Sequence, residues 1–319
     1  MKVWPNPFIT QRADPFILHY GKHYYFTASV PEYDRLDISC ADSLKNLGEA
    51  EPVTVWRKPE NGPYSQLIWA PELHCVAGCW VIYFAAAPSC DYVSGLFQHR
   101  MYALICDSAD PMSGDWKTCH RIVTPLDSFS LDATYCFHQG RHWYIWAQKN
   151  PAVPGNSCIY LAELSNPWTI KGQPVMLSCP EYKWEKGGVG VNEAPATLVH
   201  ENRLFVAYSA GATDENYGMG LLWIDGGADP LRVKNWKKVA GSIFKTSWKN
   251  RQFGPGHCCF TVDGQGRDVL VYHTRNHVGK KGDGIIDPSR HVRLKYFRWS
   301  KNGIPDFDMP TAENHPCRE

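Results

Sequence analysis

One short pattern recurs five times along this chain: a glycine or asparagine, usually a basic residue, and then a run of apolar and aromatic residues. The pattern begins at Gly21, Gly78, Gly140, Asn202 and Gly266, and successive starts lie 57, 62, 62 and 64 residues apart. Glycine and asparagine tolerate the positive φ of a hairpin turn, and β-branched and aromatic residues favour strands. The spacing therefore predicts a repeat architecture built from strands.

A polar side chain stands upstream of every one of these turns. The distance to the turn is six to nine residues for Asp14, Glu72, Asp132, Glu193 and His257. In a β-propeller, equivalent positions of the blades are related by rotation about a central channel. Five polar groups at a common phase would then form a ring at one end of that channel.

The length agrees with a propeller, because 319 residues hold five such repeats. No segment shows a clear 3.6-residue apolar period, which argues against helical repeats. We therefore expect an all-β, five-bladed β-propeller that forms a single domain over residues 1–319, with no appended carbohydrate-binding module. The sequence leaves open how the ring closes.

The charge balance of the chain limits the classes of partner that it is expected to bind. Lys and Arg number 33 against 32 Asp and Glu, without the basic excess typical of nucleic-acid binders. No apolar run approaches the ~20 residues of a membrane-spanning helix. We expect no nucleic-acid or membrane partner. No signal peptide is visible, and the 12 scattered cysteines are interpreted as reduced thiols; both features predict a cytoplasmic protein.

A ring of carboxylates beside a histidine has two main chemical uses, acid–base catalysis and cation binding. Glycoside hydrolysis commonly uses one protonated and one ionised carboxyl group, and a wide separation leaves room for water and gives inversion. A third carboxylate would raise the pKa of the acid by repulsion. Glu72 is the weakest member of this set, because it could simply hold strand ends together.

Four strings around these acids resemble the family 43 glycoside hydrolases, which are five-bladed β-propellers that cleave arabinose- and xylose-containing glycans. The strings are RADPFIL, WAPELH, LDATYCF and VNEAPATL, in that order along the chain. The resemblance implies that Asp14 is the general base, that Glu193 is the general acid and that Asp132 tunes the pKa of that acid. It also implies an inverting mechanism whose chemistry requires no cofactor.

Longer strings, among them FTASVPEYDR, YSAGATDENYGMGLL and DPSRHVR, resemble the exo-acting α-L-arabinofuranosidases of this family. That resemblance implies release of terminal arabinofuranosyl residues from arabinan-derived oligosaccharides, which would be the partner. It also implies that Arg275 reaches the sugar and that His257 lies near a calcium-like or other cation, held through water. Arg290 and Arg293 are expected to have structural or loop roles.

Two aromatic residues, Trp69 and Tyr33, are candidates for apolar contact with the sugar, although packing alone would explain either one equally well. Two alternatives to the main interpretation stay open. The first is a β-D-xylosidase or a bifunctional enzyme, since both sugars present similar hydroxyls. The second is a propeller that binds sugar without catalysis.

Overall fold

The computed structural model describes residues 4–279 and 286–313. Strands dominate these residues; the helical elements among them are α1 (Leu44–Leu47) and two 3-10 turns (Lys183–Lys186 and Val233–Asn235). The strands form four four-stranded sheets, one three-stranded sheet and a small two-stranded hairpin. The five larger sheets are the blades of a β-propeller, as predicted.

The blades follow one another along the chain, and each is an antiparallel meander. Blade 1 contains β1 (Ala13–Tyr20), β2 (His23–Ser29), β3 (Arg35–Ala41) and β4 (Val53–Arg57). Blade 2 contains β5 (Gln66–Val76), β6 (Cys79–Ala87), β7 (Arg100–Cys106) and β8 (Thr118–Arg121). Blade 3 contains β9 (Ser130–His138), β10 (Arg141–Gln148), β11 (Cys158–Asn166) and β12 (Thr169–Ser178).

Blade 4 contains β13 (Asn192–His200), β14 (Arg203–Ala210), β15 (Gly218–Asp225) and β16 (Lys237–Lys238). Blade 5 contains β17 (Phe253–Val262), β18 (Asp268–Arg275) and β19 (His291–Tyr296), and the hairpin β20 (Arg298–Trp299) and β21 (Pro305–Asp306) follows it. The first strand of each blade contacts the first strand of the next, and β17 contacts β1. These five inner strands therefore close a ring around the channel.

The turns between the first and second strands are those predicted from the sequence. Their φ angles are 62° at Gly21, 87° at Gly78, 71° at Gly140, 63° at Asn202 and 76° at Gly266. Asparagine adopts this left-handed conformation more readily than most residues that carry a Cβ. The predicted repeat is thus a repeated hairpin. In each blade, its turn joins the first, inner strand to the second strand, which is rich in aromatic residues.

The ring closes through the N-terminal segment. Ile9 forms an antiparallel bridge with Val292 of β19, and the Phe8 N–H donates to the Val292 carbonyl at 2.8 Å. Asn6 Oδ1 accepts from the fully buried Arg293 guanidinium at 2.6 Å. Residues before β1 therefore occupy the fourth-strand position of blade 5 and join the first blade to the last.

The core lies between neighbouring blades. Large side chains such as Trp143, Tyr144 and Trp146 of β10 are fully buried there. Burial of a side chain of this size removes 150–250 Å² or so from water, at about 25 cal/mol per Å² of apolar surface. The eleven cysteines within the described ranges carry free thiols, and five of them are buried.

Candidate active site

The five inner strands share a bulge near their first residues. At this point the pairing with the second strand of the blade breaks in every blade. A residue other than glycine adopts positive φ at each break: Asp14 (55°), Ala70 (47°), Asp132 (50°), Ala194 (50°) and His257 (41°). A bulge bends the strand and redirects side chains. The same local distortion therefore occurs at the same end of the channel in all five blades.

A cavity of about 320 Å³ opens at this end of the channel. Its charged lining consists of Asp14, Asp132, Glu193, His257 and Arg290, and no other charged residue of the described ranges lines it. Its remaining lining residues are uncharged: Tyr33, Trp69, Tyr92, Gly95, Leu96, Phe97, Phe129, Leu131, Asn156, Val189, Val191, Gly211, Ala212, Thr213 and Tyr217. The predicted acids of blades 1, 3 and 4 thus lie around one space.

The fifth predicted group, Glu72, does not line this cavity. It follows the blade 2 bulge by two residues, and its Oε2 lies 2.8 Å from Nε2 of His74. Both side chains are buried, and His74 lines a second cavity, of about 340 Å³, with later residues of the inner strands. The position of the polar residue relative to its turn is therefore only approximately the same in the five repeats. Glu72 lies in the interior of the channel.

Asp14 is surrounded by donors and positive charge. Its Oδ2 accepts from Ser29 Oγ at 2.6 Å, and its Oδ1 lies 3.2 Å from both Arg290 Nη1 and His257 Nδ1. Burial alone would raise the pKa of Asp14, but the charges of His257 and Arg290 outweigh burial and hold that pKa well below its usual range. Asp14 is therefore an ionised carboxylate at neutral pH.

Glu193 has the opposite electrostatic setting. Burial and the neighbouring Asp132 raise the pKa of Glu193 to about 8, although Tyr217 opposes them by donating its hydroxyl to Glu193 Oε1 at 2.8 Å. Burial also raises the pKa of Asp132, to about 6, against the nearby His257. Asp132 Oδ2 accepts from the backbone N–H of Ala194 at 3.0 Å. This bond ties the blade 3 acid to the strand that carries Glu193.

His257 lies between two of the acids. Its Nδ1 is 3.2 Å from Asp14 Oδ1 and 3.8 Å from Asp132 Oδ2. Burial lowers the pKa of this imidazole, but Asp14 and Asp132 outweigh burial and raise it to about 9. In residues 4–279 and 286–313, no three His, Cys, Asp or Glu side chains are grouped to hold a metal ion. A calcium-like ion near His257 would depend on water and carbonyl oxygens, and it stays a prediction.

The arginines differ from the sequence-based expectation. Arg275 is buried, donates from Nε to Asp287 Oδ2 at 2.9 Å and from Nη1 to the Thr213 carbonyl at 2.8 Å, and is absent from the cavity lining. Arg290, for which the sequence predicts a structural or loop role, lines the cavity and bridges Asp14 to the hydroxyl of Tyr33. Contact with a ligand is therefore available to Arg290, whereas Arg275 supports the cavity wall through Thr213.

Tyr217 was also missed, although it belongs to the YSAGATDENYGMGLL string. Nothing in its spacing distinguishes it from other aromatic residues, because its role depends on the loop between β14 and β15 folding back toward Glu193. The two aromatic candidates, Trp69 and Tyr33, do line the cavity, and their ring centroids lie 6.0 Å apart in an edge-to-face arrangement. Arg293 lies away from the cavity, at the ring closure.

Residues 4–305 of the chain match the family model described as glycosyl hydrolases family 43. The chain belongs to this family. An α-L-arabinofuranosidase crystal structure from Lactobacillus brevis is 49% identical and superposes with a TM-score of 0.94 over 98% of each chain. The resemblance stated from the sequence is thus confirmed.

Two curated relatives come from streptomycetes. The extracellular exo-α-(1→5)-L-arabinofuranosidase of Streptomyces avermitilis is 43% identical over 313 residues, or 98% of this chain and 64% of that protein. The enzyme of the same name from Streptomyces chartreusis is 42% identical over 282 residues, or 88% of this chain and 85% of that protein. The chain therefore spans less than two thirds of the length of the first of them.

These relatives correct one expectation. The prediction of a cytoplasmic protein is contradicted, because both streptomycete relatives are named extracellular enzymes. Family members act on carbohydrate, which agrees with the expected class of partner. Among the described residues, none of the helices has the length and apolar character needed to cross a membrane.

Proposed function

We propose that this protein is an inverting exo-α-L-arabinofuranosidase that removes terminal arabinofuranosyl residues from arabinan-derived oligosaccharides. The observation that carries the proposal is that two carboxyl groups of one cavity have opposite surroundings: Asp14 lies 3.2 Å from both Arg290 and His257, which hold its pKa low, while burial and Asp132 raise the pKa of Glu193 to about 8. Hydrolysis with inversion needs one carboxylate and one carboxylic acid. The names of the relatives supply the sugar and the exo mode of action.

In the proposed reaction, Asp14 accepts a proton from a water molecule as the water oxygen bonds to the anomeric carbon. The bond from that carbon to the leaving oxygen breaks in the same step, and Glu193 donates its proton to that oxygen. Arabinose leaves with inverted configuration, and proton exchange with solvent restores both carboxyl groups. Asp132 raises the pKa of Glu193, while Arg290 and His257 keep Asp14 ionised.

The small size of the cavity supports exo action. A volume of about 320 Å³ is near the lower limit of small-molecule sites, which span roughly 300–1,000 Å³. Such a space suits one terminal residue and part of its neighbour better than an internal stretch of polymer. The predicted single propeller domain over residues 1–319 remains a proposal, as does any cation near His257.

The test is hydrolysis of α-1,5-L-arabinobiose and of the 4-nitrophenyl glycosides of α-L-arabinofuranose and β-D-xylopyranose. We expect turnover of both arabinosides. Glu193→Gln should lower kcat/KM on arabinobiose by roughly 10²–10⁴, the range for loss of a general acid. The loss should be much smaller on the aryl arabinoside, whose leaving group needs little protonation, whereas Asp14→Asn should lower both rates.

Glu60→Gln, at an exposed acid, is the matched control and should behave as the unmodified protein. Proton NMR of the first-formed anomer should show inversion. Near-normal hydrolysis of arabinobiose by Glu193→Gln would contradict the acid assignment. A preference for the xyloside would contradict the proposed sugar, and a retained anomer would contradict the proposed mechanism.

A further inference from the structure

The loop between β6 and β7 reaches over the mouth of the cavity. Within it, Val93 and Leu96 pair through two backbone hydrogen bonds, of 2.8 and 3.1 Å, around a tight turn in which Ser94 and Gly95 have positive φ. Gly95, Leu96 and two aromatic residues of this loop line the cavity. The turn therefore fixes a short hairpin whose side chains form one edge of the opening.

The two aromatic residues are Tyr92 and Phe97, whose ring centroids lie 4.0 Å apart. Phe97 also contacts Trp69 edge-to-face, with centroids 5.3 Å apart, and Trp69 contacts Tyr33 in turn. The hydroxyl of Tyr33 accepts from Arg290, which pairs with Asp14. A continuous row of four aromatic rings therefore leads from the catalytic carboxylates to the rim of the cavity.

Trp69, in the middle of the row, packs against a buried histidine. Trp69 stacks on His99 with ring centroids 3.8 Å apart, and His99 is completely buried, with its Nε2 3.0 Å from the Leu67 carbonyl. Burial lowers the pKa of His99 to about 3, so this ring is neutral. Trp69 and Phe97 are thus supported, whereas Tyr92, 60% exposed, has one side of its ring open to solvent.

The charged lining residues form what we call the floor of the cavity, and Tyr92, Gly95, Leu96 and Phe97 of the loop form what we call its rim. The floor and the rim differ in charge. The charged lining residues are the three carboxyl residues, His257 and Arg290, while the rim carries the uncharged rings and small apolar residues. The described residues of the rim therefore offer an occupant apolar contact and no ionic contact. A neutral sugar ring has such a surface, because one face of the ring presents C–H groups that can pack on an aromatic face.

We infer that Tyr92 and Phe97 form a binding subsite for the neutral sugar unit on the leaving-group side of the bond that is cleaved. The inference rests on the proposed function and specifies it further: the subsite selects substrates whose leaving group is itself a sugar. Trp69 and Tyr33 belong to the inner part of the row, and the Tyr92–Phe97 pair receives the next unit outward.

The consequence is a difference between substrates. An oligosaccharide fills the rim while its terminal residue reacts, so the rim contributes to transition-state binding. A glycosyl fluoride carries no sugar as leaving group and makes no contact there. α-L-Arabinofuranosyl fluoride also needs no proton from Glu193 to begin leaving, and it reports on the floor of the cavity alone.

The experiment compares kcat/KM on α-1,5-L-arabinobiose with kcat/KM on α-L-arabinofuranosyl fluoride in the full chain. In Tyr92→Ala, we expect the ratio of the two values to fall about tenfold, the equivalent of about 1.4 kcal/mol. Tyr92→Phe retains the ring and should lower the ratio less. Trp248→Ala removes another exposed aromatic residue, 67% exposed and outside the cavity lining, and should leave the ratio unchanged.

Three outcomes would overturn the inference. Unchanged kcat/KM on both compounds in Tyr92→Ala would show that the ring does not contact the leaving group. An equal fall in both rates would show that Tyr92 supports the reacting floor instead. Turnover of neither compound by the unmodified chain would overturn the proposed function together with this inference, whereas normal turnover with an unmoved ratio overturns the inference alone. Phe97→Ala repeats the comparison at the second ring.

Discussion

Asp14 is buried and Glu193 is half-buried, and both carboxyl groups line one cavity, yet their neighbours favour opposite charge states. Asp14 has a guanidinium and an imidazolium within 3.2 Å of one oxygen. Glu193 has a tyrosine hydroxyl and, nearby, a second acid. Residue type alone therefore does not assign the base and the acid. The assignment depends on which cationic side chains lie beside each carboxyl group. The contact of Arg290 with Asp14 is not predicted from the sequence.

This contrast predicts how activity depends on pH. The proposed acid must be protonated, and the pKa of Glu193 is raised to about 8, so kcat/KM should fall as pH rises through about 8. Burial and Asp132 hold this pKa up, and Asp132→Asn removes the negative charge while retaining an oxygen that can accept from Ala194. The alkaline limb of the pH profile of kcat/KM should therefore move to lower pH in Asp132→Asn.

Glu60→Gln serves as the control for that profile, because it removes an exposed carboxylate outside the cavity lining. An alkaline limb that stays in place in Asp132→Asn would show that another group sets it. The profile is measured with arabinobiose, since hydrolysis of an aryl glycoside depends less on the acid.

At the scale of the strand, the recurring device is the bulge. All five inner strands carry one, although the side chain at the bulge is acidic, basic or a plain methyl group. Non-glycine residues in this conformation cost roughly 1–3 kcal/mol each, and such strain accumulates at functional sites. Ala70 and Ala194 retain the bulge without a polar side chain. The bulge therefore shapes the backbone of the inner strand whatever side chain it carries. In blade 4 it places the preceding residue, Glu193, at the cavity.

This interpretation predicts a difference between two alanines of β13. Ala194→Gly loses a methyl group but relieves the strain at φ 50°, so its free energy of unfolding should change little. Ala196→Gly, in the same strand and also buried, loses a methyl group and adds backbone freedom, which together cost about 1.5 kcal/mol. Urea unfolding measures both, and equal losses would contradict a strained bulge.

At the scale of the whole molecule, the features that can be predicted from the sequence are those determined by neighbouring residues. Five turns and five aromatic strands follow from residue types at short range, and their spacing predicts five blades. The closure by Ile9 on Val292 joins residues 283 positions apart and has no local signature. The choice between Arg275 and Arg290 is likewise invisible, since both lie at the edge of a strand, and the loop conformations decide which one faces the cavity.

Closure also concentrates stability at the N-terminal segment. Asn6 accepts from the buried Arg293 through Oδ1, and its Nδ2 donates to the carbonyls of Thr311 and Ala312 at 3.3 and 2.9 Å. A lost hydrogen bond to a buried charged group costs roughly 1.5–3 kcal/mol. Asn6→Ala should therefore lower the free energy of unfolding by at least about 2 kcal/mol, as measured by urea denaturation.

The same variant should retain kcat/KM on arabinobiose at low temperature, because Asn6 and Arg293 are both absent from the cavity lining. Asn61→Ala, at an exposed asparagine, is the matched control for the loss of an amide and should leave stability unchanged. If Asn6→Ala unfolded at the same urea concentration as the unmodified chain, the N-terminal segment would not be what holds the first and last blades together. If it lost activity while fully folded, the closure would be coupled to the cavity through β1, whose second residue is Asp14.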